Sequence, residues 1–269
     1  MTKIIFFDLD GTLLNEEKQI LNENKEAIKK ARENGIEVVI CSGRQQSQVR
    51  FYKEEAGAGR YVITTNGAEI YDTEADEQLF NCSLEKDFCK EFYNYIMEKG
   101  LFFRLDTKYA RYFNQEKNRI MNEILFNEEP NRFFKENDIL QISVGSIDSK
   151  KIDDTIQYLK KFSDIKIENR YIAKLTAGPL DIINIINKNA SKGNAIRGLC
   201  KYLKINLEDA VCFGDDSNDI SMFQIVGHPV AMGNAFDELK LIAKEVTKKN
   251  DEPGIAEVLN RLIEENKEQ

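Results

Sequence analysis

Lys3-Ile4-Ile5-Phe6-Phe7-Asp8-Leu9-Asp10-Gly11-Thr12 is the stretch on which the fold turns. Its apolar half has the length of a strand and no polar alternation, the pattern of a strand buried on both faces of a parallel sheet, and it stops abruptly at two acids. A helix is expected next. Asn22 is a candidate N-cap, Ala27, Ile28 and Ala31 form an apolar stripe, and Gly35 stands where a helix should end. Ile36 to Cys41 is a second β-branched run, closed by Ser42-Gly43-Arg44, and after another helical stretch Tyr61 to Thr65 is a third, closed by Asn66-Gly67. Strand and helix in strict alternation imply a parallel sheet with helices on its faces and right-handed connections.

Beyond Asn66-Gly67 the pattern changes. Glu69 to Asp72 and Gln78 to Cys82 alternate like a hairpin, and Leu84 to Lys99 is an amphipathic helix through Phe88, Phe92 and Ile96. Strands are expected at 101–105, 110–113, 139–144, 165–168, 172–175 and 180–185, and helices at 117–126 and 151–162; most aromatic residues gather here, as a core would need. From Ser191 the first rhythm returns, with a capped helix to Leu203, a strand over Ala210 to Phe213 and a short strand near Val230. Two helices follow, and the tail from Glu264 is expected to fray. The expected fold is α/β: a Rossmann-like parallel sheet core built from residues 1–83 and 188–269, with an α+β domain at 84–187 inserted into it.

The 269 residues carry 38 basic and 46 acidic side chains, a net charge of −8, so the surface as a whole repels a phosphate backbone and no nucleic-acid partner is expected. No apolar stretch approaches the roughly 18 residues of a membrane span, and the first run, cut short by Asp8, does not read as a signal sequence. Cys41, Cys82, Cys89, Cys200 and Cys212 are odd in number and contain no C-x-x-C pair, which argues against a disulfide framework or a zinc site and for a reducing cytoplasm. The single histidine, His228 beside Pro229, leaves no room for a histidine-cluster mechanism and is expected to be structural. A monomer is the default expectation.

Ligands of an open parallel sheet bind outside the carboxyl ends of its strands. Those ends carry Asp8-Leu9-Asp10-Gly11-Thr12, Ser42-Gly43-Arg44, Asn66-Gly67 and Gly214-Asp215-Asp216-Ser217-Asn218-Asp219. Acids dominate that rim. Two unit charges about 4 Å apart repel by about 4 kcal/mol at an effective dielectric of about 20, so a cation must offset them. All-oxygen donors without histidine or cysteine point to Mg²⁺, completed by water and a substrate phosphate whose oxygens Ser42, the Gly43 N–H and Lys192 are able to hold. Of two carboxylates at Asp8-x-Asp10, one can attack phosphorus while the other protonates the leaving oxygen and later takes a proton from water. A calcium loop counted from Asp8 fails, because Thr12, Leu14 and Gln19 stand where ligands are needed. Taken singly, each segment has a plain alternative: a solvated turn, a strand-to-helix turn, a first-turn lysine in solvent, a capped helix start.

Together and in this order, they resemble the haloacid dehalogenase-like (HAD) phosphohydrolases. Phe6-Phe7-Asp8-Leu9-Asp10-Gly11-Thr12-Leu13-Leu14 is similar to the family's first motif, Ser42-Gly43-Arg44 to its second, Lys192-Gly193 to its third and Gly214 to Asp219 to its fourth. The α/β cap inserted between the second and third motifs, with Val230-Ala231-Met232-Gly233-Asn234-Ala235 near the end, resembles the Cof-like subfamily of sugar-phosphate and cofactor phosphatases. The resemblance implies that Asp8 is the nucleophile and a Mg²⁺ ligand, that Asp10 is the acid/base and binds the metal through its carbonyl, and that Asp215 is the third protein ligand. It further implies that Ser42, Gly43, Lys192 and Asn218 hold the phosphoryl group with help from the Leu9 backbone N–H. Asp219 would lie behind them, orienting Lys192 or a metal-bound water. Asp216 departs from the pattern by adding a charge in a slot often neutral, and Asn66 resembles a substrate-side position.

The expected activity is Mg²⁺-dependent hydrolysis of a small organic phosphomonoester, a sugar phosphate or phosphorylated cofactor, through an aspartyl-phosphate. A phosphotransferase or mutase passing the group to a sugar, and a catalytically silent sugar-phosphate-binding regulator, are the alternatives. Arg104, Arg111, Tyr112 and Lys174 are candidates for choosing the leaving group.

Overall fold

The computed structural model describes residues 1–114, 123–175 and 178–268 and divides into two compact units: Met1–Phe80 together with the chain from Ser191 onward, and Asn81–Ala190. The first unit begins with β1 (Ile4–Phe7), α1 (Asn22–Glu33), β2 (Glu37–Cys41), α2 (Gln46–Ala56), β3 (Tyr61–Thr64), β4 (Glu69–Asp72) and β5 (Glu77–Asn81), which reaches the boundary. The inserted unit follows with α3 (Lys86–Lys99), β6 (Phe102–Thr107), β7 (Arg111–Phe113), β8 (Glu123–Leu125), α4 (Pro130–Glu136), β9 (Ile139–Ser146), α5 (Ser149–Leu159), β10 (Ile165–Leu175) and β11 (Gly178–Asn187). The first unit resumes with α6 (Lys192–Leu203), β12 (Ala210–Gly214), α7 (Ile220–Phe223), β13 (His228–Ala231), α8 (Asp237–Ile242), β14 (Glu245–Val246) and α9 (Gly254–Lys267).

The sheet of the first unit runs β14-β13-β12-β1-β2-β3-β4-β5, parallel from β14 to β3 and antiparallel where β4 turns back along β3. β1 lies inside it, with Ile5 and Phe7 entering a core with Ala27, Ile28 and Leu259 on one face, and Ile4 and Phe6 a core with Ile196, Leu199 and Met222 on the other. Burial on both faces is why its sequence shows no alternation. The expected α/β class with an inserted α+β part is borne out.

Local details differ from expectation. Asn22 is the first helical residue of α1 rather than its cap; extended Leu21 precedes it without a capping hydrogen bond. The tail does not fray at Glu264, because the Asn266 side chain accepts from Thr2 N and donates to Thr2 O, each at 2.8 Å, and α9 continues to Lys267. His228 is structural, its Nε2 3.0 Å from Glu245 Oε2 on the neighbouring strand. All five cysteines are unpaired. Among the described residues no helix is long and apolar enough to cross a membrane.

In the inserted unit a sheet of order β10-β11-β9-β6-β7-β8, antiparallel except between β7 and β8, packs one face on an aromatic core that includes Phe88, Phe92, Phe103, Phe133 and Phe134. The helix expected at 117–126 falls partly outside the described residues, and 123–125 form strand β8. The strands expected at 165–168 and 172–175 are one, carried through a register irregularity between Ile167 and Asn169. α4 was not expected; Pro130 opens it and the Glu129 carboxylate accepts from Asn131 N and Arg132 N.

Candidate active site

The sheet order places the carboxyl ends of β12, β1, β2 and β3 side by side. Asp8 follows β1 directly and its N–H donates to Phe213 O of β12 at 3.0 Å, which sets the strand end beside Gly214-Asp215. Gly11, at φ 83°, then turns the chain. A Cβ there would stand 2.1 Å from Asp215 Oδ2, so glycine serves both the left-handed backbone and the approach of that carboxylate. Thr12 Oγ1 donates to Asp215 Oδ1 at 2.8 Å and holds it over the turn.

Lys192 opens α6, whose Ser191 N-cap accepts from Asn194 N. The lysine is fully buried, and its Nζ donates to Asp8 Oδ1 at 2.5 Å and Asp219 Oδ1 at 2.6 Å. Asp219 spends its other oxygen on the backbone N–H groups of Asp215 and Asp216, at 2.9 and 3.1 Å, closing the turn after β12. Gly214 leaves room for this; a Cβ there would meet the Asp219 carboxylate at 2.6 Å.

Asp8, Asp215 and Asp219 each offer an oxygen within 4.8 Å of the others. Burial pushes Asp8 up to about 8 despite Lys192, with Asp219 and Asp215 adding repulsion. Burial likewise pushes Asp215 up to about 7, against the Thr12 hydroxyl that favours its charged form. Burial alone would depress Lys192, but the carboxylates of Asp219 and Asp8 hold its pKa above the ordinary lysine value. Three carboxylates thus face one ammonium, with oxygen donors only. A hard divalent cation fits that excess of buried negative charge.

Asp10 is not in this cluster. Its carboxylate, partly exposed, accepts from Arg44 Nε and Nη2 at 2.6 and 2.7 Å and from Lys18 Nζ at 2.7 Å, while Arg44 lies over the Tyr52 ring at 4.9 Å. Burial would raise its pKa, but the hydrogen bonds from Arg44 and Lys18 win and hold it at about 2. Leu9, between the two acids, has its side chain in the core. Ser42 is buried after β2, its Oγ accepting from Arg44 N at 3.2 Å, and Gly43 stands next to Asn66, where a Cβ would come within 2.8 Å of Asn66 Oδ1. Asn218 Nδ2 donates to that same oxygen at 3.0 Å.

The structure therefore gathers Asp8, Lys192, Asp215 and Asp219 into one hydrogen-bonded or close group, sets Ser42, Gly43 and Asn218 around Asn66, and turns the Asp10 side chain to Arg44 and Lys18. Sequence reasoning missed Thr12 as the holder of Asp215, and Lys18. The T in the first motif was the available signal for Thr12; Lys18 sits in an irregular turn at φ 60° with no motif to mark it. In the inserted unit Arg104 and Arg111 both face Asp106, at 3.5 and 2.7 Å, Tyr112 packs edge-on against Phe133, and Lys174 is exposed.

Comparison with known proteins agrees with the motifs. A model of the haloacid dehalogenase-like hydrolases matches residues 5–259. Phosphatase YwpJ of Bacillus subtilis (strain 168) is 30% identical over 97% of this chain and 100% of its own. The 5-amino-6-(5-phospho-D-ribitylamino)uracil phosphatase YwtE of the same organism is also 30% identical, over 97% and 98%. A solved haloacid dehalogenase-like hydrolase from B. subtilis matches with a TM-score of 0.79 at 27% identity, covering 97% of this chain and 100% of that one. With the buried acids at the ends of β1 and β12 joined by Lys192, and a family match spanning nearly every element of both units, the chain belongs to the haloacid dehalogenase-like hydrolases of the Cof-like type.

Proposed function

We propose that this hydrolase is a Mg²⁺-dependent phosphomonoesterase that cleaves a small organic phosphate, a sugar phosphate or phosphorylated cofactor, through a phosphoryl-aspartate on Asp8. The observation that carries the reading is the buried contact of Lys192 with both Asp8 and Asp219, two acids that each offer an oxygen within 4.8 Å of one from Asp215. Asp8, the Asp10 carbonyl and Asp215 would hold the ion, which when bound neutralises the crowded carboxylates and the phosphate charge.

Asp8 attacks phosphorus, forming an aspartyl O–P bond as the bond to the leaving oxygen breaks, and Asp10 gives that oxygen a proton. Water then attacks phosphorus, Asp10 takes its proton, and the acyl phosphate opens to free phosphate and Asp8. Ionised Asp10, as Arg44 and Lys18 hold it, is the form that serves this second half; supplying a proton in the first half requires it to leave Arg44. Ser42, the Gly43 and Leu9 N–H groups, Lys192 and Asn218 hold the phosphoryl oxygens, and Asp219 keeps Lys192 in place. The net charge of −8 and five unpaired cysteines favour a small-molecule substrate over nucleic acid and a reducing cytoplasm as its setting, with a monomer as the working unit.

Release of p-nitrophenol from its phosphate, with and without Mg²⁺, tests the reaction. Turnover is expected only with the ion, to vanish in Asp8→Asn, and to fall about 10²–10⁴-fold in Asp10→Asn as general acid–base help is lost. Metal-independent turnover, or full activity in Asp8→Asn, would overturn the assignment. A panel of phosphometabolites that includes the compound named for YwtE identifies the substrate.

A further inference from the structure

Thr65, Asn66 and Gly67 follow β3 in three successive left-handed conformations, φ 50°, 55° and 88°. Glycine adopts that region freely; a β-branched threonine does so only under constraint. The Thr65 side chain gains nothing in return, since its Oγ1 is buried with no hydrogen-bond partner; locally only its carbonyl is engaged, accepting from Ala68 N at 3.1 Å. The constraint is tertiary. Thr65 N donates to Arg44 O at 3.0 Å and Asn66 N to Ser42 O at 3.1 Å, and Gly67 lies so close to α6 that a Cβ would stand 2.1 Å from Ser191 O, the carbonyl preceding Lys192. Asn66 Oδ1 accepts from Asn218 Nδ2 at 3.0 Å and sits against Gly43. One strained turn thus touches the segments of Ser42-Gly43, Lys192 and Asn218 at once. Strain of this kind persists where surrounding contacts over-determine it, and it concentrates at functional sites.

We infer that Asn66 is a positioning residue for the phosphoryl group: by accepting from the Asn218 amide and resting on Gly43, it fixes the direction in which those two donors point. The inference rests on the phosphomonoesterase reading above. Because Asn66 acts through Asn218, the two are coupled, and the coupling depends on an acceptor at position 66 rather than on the backbone alone.

The test is a cycle on p-nitrophenyl phosphate, with KM, kcat and the inhibition constant of inorganic phosphate measured for Asn218→Ala in three backgrounds. These are wild type, Asn66→Gly, which frees the left-handed backbone but removes the acceptor, and Asn66→Asp, which keeps it. Asn218→Ala is expected to weaken phosphate inhibition and raise KM about tenfold in the wild-type and Asn66→Asp backgrounds, and to change neither in Asn66→Gly. An equal effect of Asn218→Ala in the Asn66→Gly background overturns the inference, as does loss of the effect in Asn66→Asp; the latter comparison stands even if Asn66→Gly does not fold. A wild-type chain without turnover takes down the phosphomonoesterase reading and this inference together, whereas an active wild type with uncoupled variants takes down the inference alone.

Discussion

Lys192 compensates two carboxylates from inside the protein, its side chain fully buried. Removing one partner of a buried ionic group strands the others, and the loss is typically about 3–5 kcal/mol. Lys192→Met is therefore expected to lower the unfolding free energy by about that amount in urea titrations, with Asp8 and Asp219 left facing each other. The loss should be smaller near pH 5 than near pH 8, because protonation of Asp8 relieves the same repulsion. A variant as stable as wild type would mean that the acids are compensated elsewhere. Asp10 makes a contrasting case: its charge is held by Arg44 and Lys18 near the surface, so its pairing contributes specificity of position more than stability.

Two elements place the groups proposed to act on the phosphate, the strand ends of the parallel sheet and the first turn of α6. The N-cap of that turn is Ser191, and its replacement by alanine is expected to cost about 1 kcal/mol in denaturant unfolding and to raise KM, since Lys192 is the next residue. An unchanged KM would separate the cap from the site. These elements are readable because their signals are short-range: β1 and β12 are apolar runs that lead into acids, β2 and β3 apolar runs closed by Ser42-Gly43 and Asn66-Gly67, and α6 is announced by its cap. Other features were not. α4 is a single short helix capped from outside by Glu129, which leaves no apolar period to detect. Asp10 carries the right motif, yet nothing in the motif says that Arg44 and Lys18 will claim both of its oxygens. The Asn66–Asn218 bond joins residues 152 positions apart, and only the strained turn after β3 makes it. Motif reading named residues that the fold brings close together, Asp8, Lys192, Asp215 and Asp219; the partners of each side chain come from packing between distant segments.

Stability, metal binding and pH are coupled across the fold because the acids that would bind the ion are also those that burial raises. Asp8 at about 8 and Asp215 at about 7 stand well above the roughly 3.9 of an unfolded aspartate, so between those values the metal-free folded state holds protons that the unfolded chain has released. Stability from these groups is present in full below about pH 4 and is lost as pH rises through about 7 to 8. Asp10, held at about 2, has the opposite sign: its contribution is present above the unfolded value and disappears only as pH falls through about 2. An ion on Asp8 and Asp215 needs both ionised, so it must displace their protons and gains affinity as pH rises through the same window. Thermal melts at fixed Mg²⁺ concentration are thus expected to show a larger upward shift at pH 8 than at pH 6, while metal-free melts fall over that interval and Asp215→Asn loses the Mg²⁺ shift at both. A shift of equal size at the two pH values would mean that the ion does not compete with protons at these carboxylates, and that the cluster at the ends of β1 and β12 is held together by Lys192 alone.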